Sequence, residues 1–186
     1  MSPQTASTEP LAPKPAMAQP PAPDDLGPWC TYERAIHSDT AKSLGIPNVP
    51  NAAQLANMQV LYNRIYGPLC DHYGFKLPIS SFFRSPALNR SIKGASRTSA
   101  HMLGQAVDID CDGLPQLSND ALLAYIRANF IFDQLILEYP DKNGKPSWVH
   151  VSYRANGINR KQVLRARKTL VKQGKKLVET TVYDPI

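Results

Sequence analysis

The sequence predicts an α+β fold, a small antiparallel sheet with packed helices, and three observations carry that expectation. Asn51 to Tyr73 places Leu55, Met58, Leu61, Tyr62, Ile65, Leu69 and Tyr73 at spacings of three and four, the period of a helix with one apolar face. Ala106-Val107-Asp108-Ile109-Asp110 alternates apolar and acidic positions, the period of a strand. Gln134 to Tyr139 and Trp148 to Tyr153 read as two more strands, joined as a hairpin by the turn-forming run from Pro140 to Pro146. At 186 residues the chain suffices for one domain with a real core and is short for two.

The elements follow in order. Eight of the 17 prolines fall in the first 28 positions, among Ala, Ser, Thr and Gln, so residues 1–28 lack the aliphatic content to build a core and are expected to form a disordered tail or linker. The domain is expected over 29–168, followed by a basic tail over 169–186. Ser38 to Leu44 suits a short helix stopped by Gly45, before the turn-prone Pro47, Asn48 and Pro50. The long helix lies between Pro50 and Gly74. Pro78 to Phe83 reads as a short strand with Arg84 at its end, and Ser85-Pro86 opens a short helix through Arg90. Gly94 to Ser99 is small and polar and reads as loop. In the following strand Asp108 and Asp110 share a face, and Ser118-Asn119-Asp120 caps a helix running through Leu122, Leu123, Tyr125 and Ile126. Arg160 to Leu177, with Val163, Leu164, Leu170 and Val171 among many bases, reads as a surface helix. No internal repeat is visible.

Composition narrows the function classes. Hydrophobic residues are 42% and charged residues 19%, and no apolar run approaches the roughly 20 residues of a membrane-spanning helix. The net charge of +6 is concentrated at the end, where nine basic and two acidic residues follow from Arg154 onward. Such a run suits an anionic partner, nucleic acid or bacterial envelope, or is simply a solvated face. It lacks interleaved aromatics and any recognition motif, so no nucleic-acid partner is expected. Cys30, Cys70 and Cys111 stand about 40 residues apart with no C-x-x-C pair, which reads as buried thiols rather than a zinc ribbon or disulfide framework. The first residues show no basic segment followed by an apolar one, so no ordinary secretory signal is visible.

Two of the four histidines stand in chemically suggestive company. His101 precedes Asp108 by seven residues, with Gly104 between them to allow a turn that brings imidazole and carboxylate together; an ordinary polar pair is the plainer alternative. In Trp148 to Tyr153, His150 and Ser152 face one way and Val149 and Val151 the other. Two histidines and one carboxylate form the ligand set of a catalytic zinc, which keeps a fourth position open for water. Such a zinc lowers the pKa of water to about 7 and polarises a carbonyl, as amide hydrolysis at neutral pH requires. His37 and His72 have no ligand-spaced partners and read as surface or packing residues.

The pattern S-x-H-x-x-G-x-A-x-D, complete from Ser99 to Asp108, followed by W-V-H-V-S from Trp148 to Ser152, resembles the peptidase M15 family of zinc peptidases, which includes D-Ala-D-Ala carboxypeptidases. Phe83 to Arg90, Asn159 to Ala166, Ser38 to Ala41 and Leu44 to Asn48 are similar to further segments of that family, so the resemblance spans about Glu33 to Arg167. It implies the α+β fold shared by these peptidases and the hedgehog signalling domain. It implies His101, Asp108 and His150 as ligands of Zn2+, Arg84 as the group that stabilises the oxyanion or binds substrate, and Ser99 as a substrate-holding or loop-orienting residue. Trp148 reads as core or as a wall of the substrate cleft.

Relatives often place an acid three residues before the last histidine ligand, where this chain has Ser147, so the general base must come from elsewhere. Glu138 is the expected substitute. If Tyr139 pairs with Ser147, then Glu138 opposes Trp148 and Ile136 opposes His150, which puts Glu138 and His150 diagonally adjacent on one face. A one-residue slip would separate them, and Asp110 and Asp141 are the alternative bases. The implied function is zinc-dependent hydrolysis of peptidoglycan stem peptides, by a carboxypeptidase or endopeptidase cut. The other reading is a zinc-site binding or structural module of a phage-like or envelope assembly with little turnover. Action at the bacterial cell wall or periplasm would then need delivery by phage lysis or a tail-like machine, to which the N-terminal tail offers a tether.

Overall fold

The computed structural model describes residues 25–174 and 176–186; the expected tail over 1–28 lies, up to residue 24, outside the described residues. Leu26, just beyond, is buried in the core, and Gly27 bridges to Cys30. The chain then forms α1 (Tyr32–Ile36), α2 (Asp39–Leu44), α3 (Ala52–Leu61), α4 (Gly67–Tyr73), β1 (Ile79–Ser81), α5 (Pro86–Ser91), β2 (Ala106–Ile109), α6 (Asn119–Asn129), β3 (Gln134–Glu138), β4 (Trp148–Ser152), β5 (Gln162–Gln173) and β6 (Lys176–Pro185). The α+β class is as expected.

Local chemistry sets most boundaries. Ser38 caps α2 by accepting from the Ala41 N–H, and Gly45 ends it in the left-handed conformation at φ 62°. Asn51 and Gln54 form a reciprocal capping box at the start of α3. The long helix expected over 51–73 is present, with a π-helical turn over Tyr62–Tyr66 at its centre. Pro68 accounts for that turn, since it offers no N–H to the Arg64 carbonyl and its ring crowds the preceding turn.

The sheet has six strands in the order β1-β2-β4-β3-β5-β6. It is mixed rather than purely antiparallel, because β5 runs parallel to its neighbour β3. The second correction concerns the C-terminus. The surface helix expected over Arg160 to Leu177 is instead β5, which turns at Gly174 (φ 62°) into β6, its antiparallel partner from Leu164↔Pro185 to Gln173↔Lys176. The apolar pairs Val163-Leu164 and Leu170-Val171 suit either element, and the first half of the segment docks on β3, which a single-segment reading does not see.

Registers across the sheet divide its residues into two faces. Val107, Ile109, Leu135, Leu137, Val149 and Val151 are buried in one cluster with Met58, Leu61, Ile65 and Leu69 of the long helix and Leu122 and Ile126 of α6. The opposite face carries the row Asp108, His150, Ile136, Leu164, and on one side of it the row Trp148, Glu138, Ala166, Tyr183. Ile136, Leu164 and Ala166 form a small apolar floor separate from the main core. One face is thus held by helices and the other is left for chemistry.

Candidate metal centre and catalytic cleft

Asp108 lies mid-strand in β2, directly opposite His150 of β4. His101 comes from the turn that precedes β2, a 3-10 segment over Ala100–Leu103 closed by Gly104. Gly104 adopts φ 70°, and a Cβ there would sit 2.4 Å from the Gln54 carbonyl oxygen, so only glycine permits the turn. Gln54 and Asn57 of α3 donate to the carbonyls of Met102 (2.7 Å) and Leu103 (2.9 Å) and pin it. Sequence spacing is thereby converted into a cluster. His101 Nε2, Asp108 Oδ1 and His150 Nδ1 lie 2.7 to 3.2 Å apart, and all three residues are buried.

The donor set fits a divalent cation. The His101 Nδ1–H donates to the Phe82 carbonyl (2.6 Å), which can only accept, so the neutral ring turns the Nε2 lone pair toward the cluster. Burial lowers the His101 pKa, outweighing the opposing effect of Asp108, and so disfavours the doubly protonated ring. A lone pair then faces a carboxylate oxygen at 3.1 Å with no hydrogen between them. A central cation would resolve that repulsion. Zinc–nitrogen bonds of about 2.0–2.1 Å place tetrahedral donors roughly 3.3 Å apart, close to two of the three edges here and longer than the 2.7 Å between Asp108 and His150. Burial raises the Asp108 pKa, but the two histidines more than offset it and hold the carboxyl well below the usual range.

The other expected site residues gather at the same cleft, of about 1410 Å³. Arg84 follows β1, held where Asn48 donates to the Phe83 carbonyl (3.1 Å) and accepts from the Ser85 N–H (2.6 Å). Its Nη2 is 3.7 Å from Asp108 Oδ2, and its Nε is buried without a hydrogen-bond partner among the described residues. Burial lowers the Arg84 pKa, and Asp108 and Glu138 oppose that shift.

Glu138 pairs with Trp148 and Ile136 with His150, the expected register, so Glu138 lies on the cleft face diagonally from His150. It is 7% exposed, and its pKa is pushed up to about 7 by burial, against the attraction of His150 and with the help of Asp108. Ser99 and Trp148 are partly buried and line the cleft; the Trp148 ring lies 5.4 Å from that of Tyr139.

The alternative bases are spent elsewhere. The chain leaves β2 at Ile109, and Asp110 accepts from the Asp112 N–H (2.9 Å) and Asn119 Nδ2 (3.2 Å), so it does not share the cleft face with Asp108. Asp141 accepts from the N–H groups of Asn143 and Lys145 within the hairpin loop. Ser147 donates its hydroxyl to the Tyr139 carbonyl (3.1 Å) and its N–H to the Glu138 carbonyl (2.9 Å), closing that hairpin. His72 stacks on Tyr125 at 4.0 Å, the packing role expected for it. The three cysteines are buried and free.

A comparison with protein families places this geometry. The family model described as Peptidase M15 matches residues 32–152, more than half of the chain. The chain belongs to the peptidase M15 family. A search of curated proteins gives no match. The M15 match contains His101, Asp108, His150, Arg84 and Glu138, and it ends with β4. The cleft does not end there.

Beyond the M15 match, β5 and β6 supply Gln162, Leu164, Lys168, Tyr183 and Pro185 to the cleft wall. Tyr183 stands in the Glu138 row, one strand past Ala166; it is 42% exposed, and partial desolvation together with Glu138 pushes its phenol up to about 12. The Tyr139 hydroxyl meets Thr181 Oγ1 at 2.8 Å and ties β6 to the rim. Sequence reasoning missed this wall. The signal available was Val178-Glu179-Thr180-Thr181-Val182-Tyr183, a β-rich run after the turn residue Gly174.

Proposed function

We propose that the protein is a zinc-dependent peptidase of the hedgehog/DD-peptidase fold that cleaves peptide bonds in peptidoglycan stem peptides. One observation carries the reading: His101, Asp108 and His150 converge to within a few ångströms of one another on a buried sheet face, with Glu138 on the diagonal, in a chain of the M15 family.

Zinc held by those three residues would supply Lewis-acid polarisation of the scissile carbonyl and an acidified water. Glu138 takes the proton of the attacking water and returns it to the leaving amine, a role for which a carboxyl with a pKa near the working pH is suited. Arg84 donates to the carbonyl oxygen as negative charge grows there. Ile136, Leu164 and Ala166 keep the floor beneath the reacting groups dry, which strengthens each of these interactions. Trp148 and Ser99 hold the peptide against the two walls.

The cleft continues on both sides of the metal cluster, toward Trp148 and Tyr183 in one direction and toward Ser152, Gln134 and Gln162 in the other. Lining on both sides supports an endopeptidase cut within an extended chain over removal of a terminal residue. The cell wall or periplasm is the corresponding place of action. The N-terminal tail is then a tether to an envelope or phage-tail partner.

Mass spectrometry of purified peptidoglycan digested with the protein tests the reading: internal stem-peptide fragments are expected, and released D-Ala alone would indicate a carboxypeptidase. A second reading, a zinc-site binding module with little turnover, is favoured by Ser147 at a position where relatives often keep an acid. Bound zinc without any product would support it.

A further inference from the structure

The far end of the cleft carries a cationic pair that the proposed chemistry does not use. Asp133, 4% exposed, sits at the start of β3 and accepts from Arg160 Nε (Oδ1, 2.7 Å) and Arg160 Nη2 (Oδ2, 2.7 Å). Arg154 Nε approaches the same Oδ2 at 3.0 Å. Two guanidinium groups share one carboxylate, so one positive charge is left over. Both line the cleft, each with 43% of its side chain exposed. Neither amino group of Arg154 has a hydrogen-bond partner among the described residues, and the same holds for Arg160 Nη1.

The pair is held in place before any ligand arrives. Arg154 donates its backbone N–H to Asn159 Oδ1 (2.8 Å), Asn159 Nδ2 donates to the Arg154 carbonyl (3.2 Å), and Asp133 donates its N–H to the Ser152 carbonyl (2.8 Å). A planar fork fixed by a buried carboxylate loses little freedom when it takes up a second anion. The surrounding field agrees: the cleft lining holds Arg84, Lys93, Arg154, Arg160 and Lys168 against Asp108, Asp133 and Glu138.

We infer that Arg154 and Arg160 form an anion subsite that binds a carboxylate carried by the substrate peptide two or three residues from the scissile bond. The spacing follows from the strand. Arg154 lies four residues after His150 and two past the end of β4, at most on the order of 13 Å away at the rise of an extended chain, and its side chain meets Asp133 within the cleft. Gln134 Nε2 donates to Gln162 Oε1 (2.9 Å) on the floor between the two sites, leaving amide donors and an acceptor for the peptide backbone that bridges them. The inference rests on the cleft being a peptidase site and names the feature by which that site selects substrates.

Two peptides test it, a stem peptide whose acidic residue carries a free carboxylate and the same peptide with that carboxylate as a primary amide. Cleavage is followed in the wild-type protein and in Arg154→Gln, which leaves the Arg160–Asp133 pair intact. Loss of a charged hydrogen bond predicts a KM about tenfold higher for the amide in wild type, and no difference between the peptides in Arg154→Gln. Calorimetric binding to the zinc-loaded Glu138→Gln protein, with and without Arg154→Gln, reads the same preference without turnover. Equal affinity for acid and amide, or an unchanged preference in Arg154→Gln, would overturn the subsite. Failure of the peptidase reading is separable, since it appears as absent cleavage of both peptides while binding still reports whether the carboxylate is recognised.

Discussion

The two faces of the sheet are built from the same strands and differ by one residue of phase. On the helix side, Val107, Val149, Val151, Leu135 and Leu137 are fully apolar and packed against the long helix and α6. On the cleft side, their immediate neighbours Asp108, His150, Ser152, Ile136 and Glu138 hold a metal-type cluster, a carboxyl with a raised pKa and an apolar floor. Alternation lets one strand supply stability and chemistry at adjacent positions without either compromising the other. His101 and Asp108 are each held by one hydrogen bond, His101 Nδ1–H to the Phe82 carbonyl and Asp108 Oδ1 with His150 Nδ1, while the facing His101 Nε2 lone pair and Asp108 oxygen are left for a cation.

Substitutions on the two faces should therefore separate activity from stability. The largest effect is expected at Glu138→Gln, which should lower kcat by about 10²- to 10⁴-fold while zinc content and Tm stay close to wild type. The same variant sharpens the account through pH. Glu138 acts as a base when ionised and burial pushes its pKa up to about 7 without metal, so activity should fall about tenfold per unit on the acid side of its pKa. Bound zinc moves the limb to lower pH, and the limb should be missing from the residual activity of Glu138→Gln.

One residue earlier, Leu137→Ala should do the reverse, costing about 2–5 kcal/mol in denaturant unfolding with little change in kcat of the folded protein. A large loss of kcat there at full stability would break the division between faces. The smallest effect is expected at Tyr183→Phe, on the strand that lies outside the M15 match. Its phenol borders the Glu138 row, so a rise in KM of a few fold with unchanged Tm would place the C-terminal hairpin in the substrate site. No change in KM would make it a wall only.

The division between faces was largely legible in the sequence because local patterns determine it. His150 between two valines and Asp108 between Val107 and Ile109 fix the phase, whereas the hairpin register, conditional in the sequence, is decided by the pairing of Glu138 with Trp148 in the structure. Gly104 announced the turn that delivers His101. What escaped depends on contacts distant in sequence. Val163-Leu164 and Leu170-Val171 suit a helix or a strand equally, and only the parallel docking of β5 on β3 decides between them. With β5 and β6 misread, Tyr183 went unseen, as did the wall it forms, and the pairing of Arg154 and Arg160 around Asp133 is likewise visible only once β3 and the chain after β4 are brought together. The π-helical turn at Tyr62–Tyr66 was foreshadowed by Pro68, whose missing N–H a continuous apolar stripe conceals.

The central claim is that the cleft-face cluster is a zinc site, and metal content tests it most directly. Elemental analysis of protein purified without chelator, alongside a His150→Ala variant of matched stability, should give about one zinc per chain in the wild type and a loss of most of it in the variant. A wild-type protein without zinc, or a variant that retains it in full, would contradict the account.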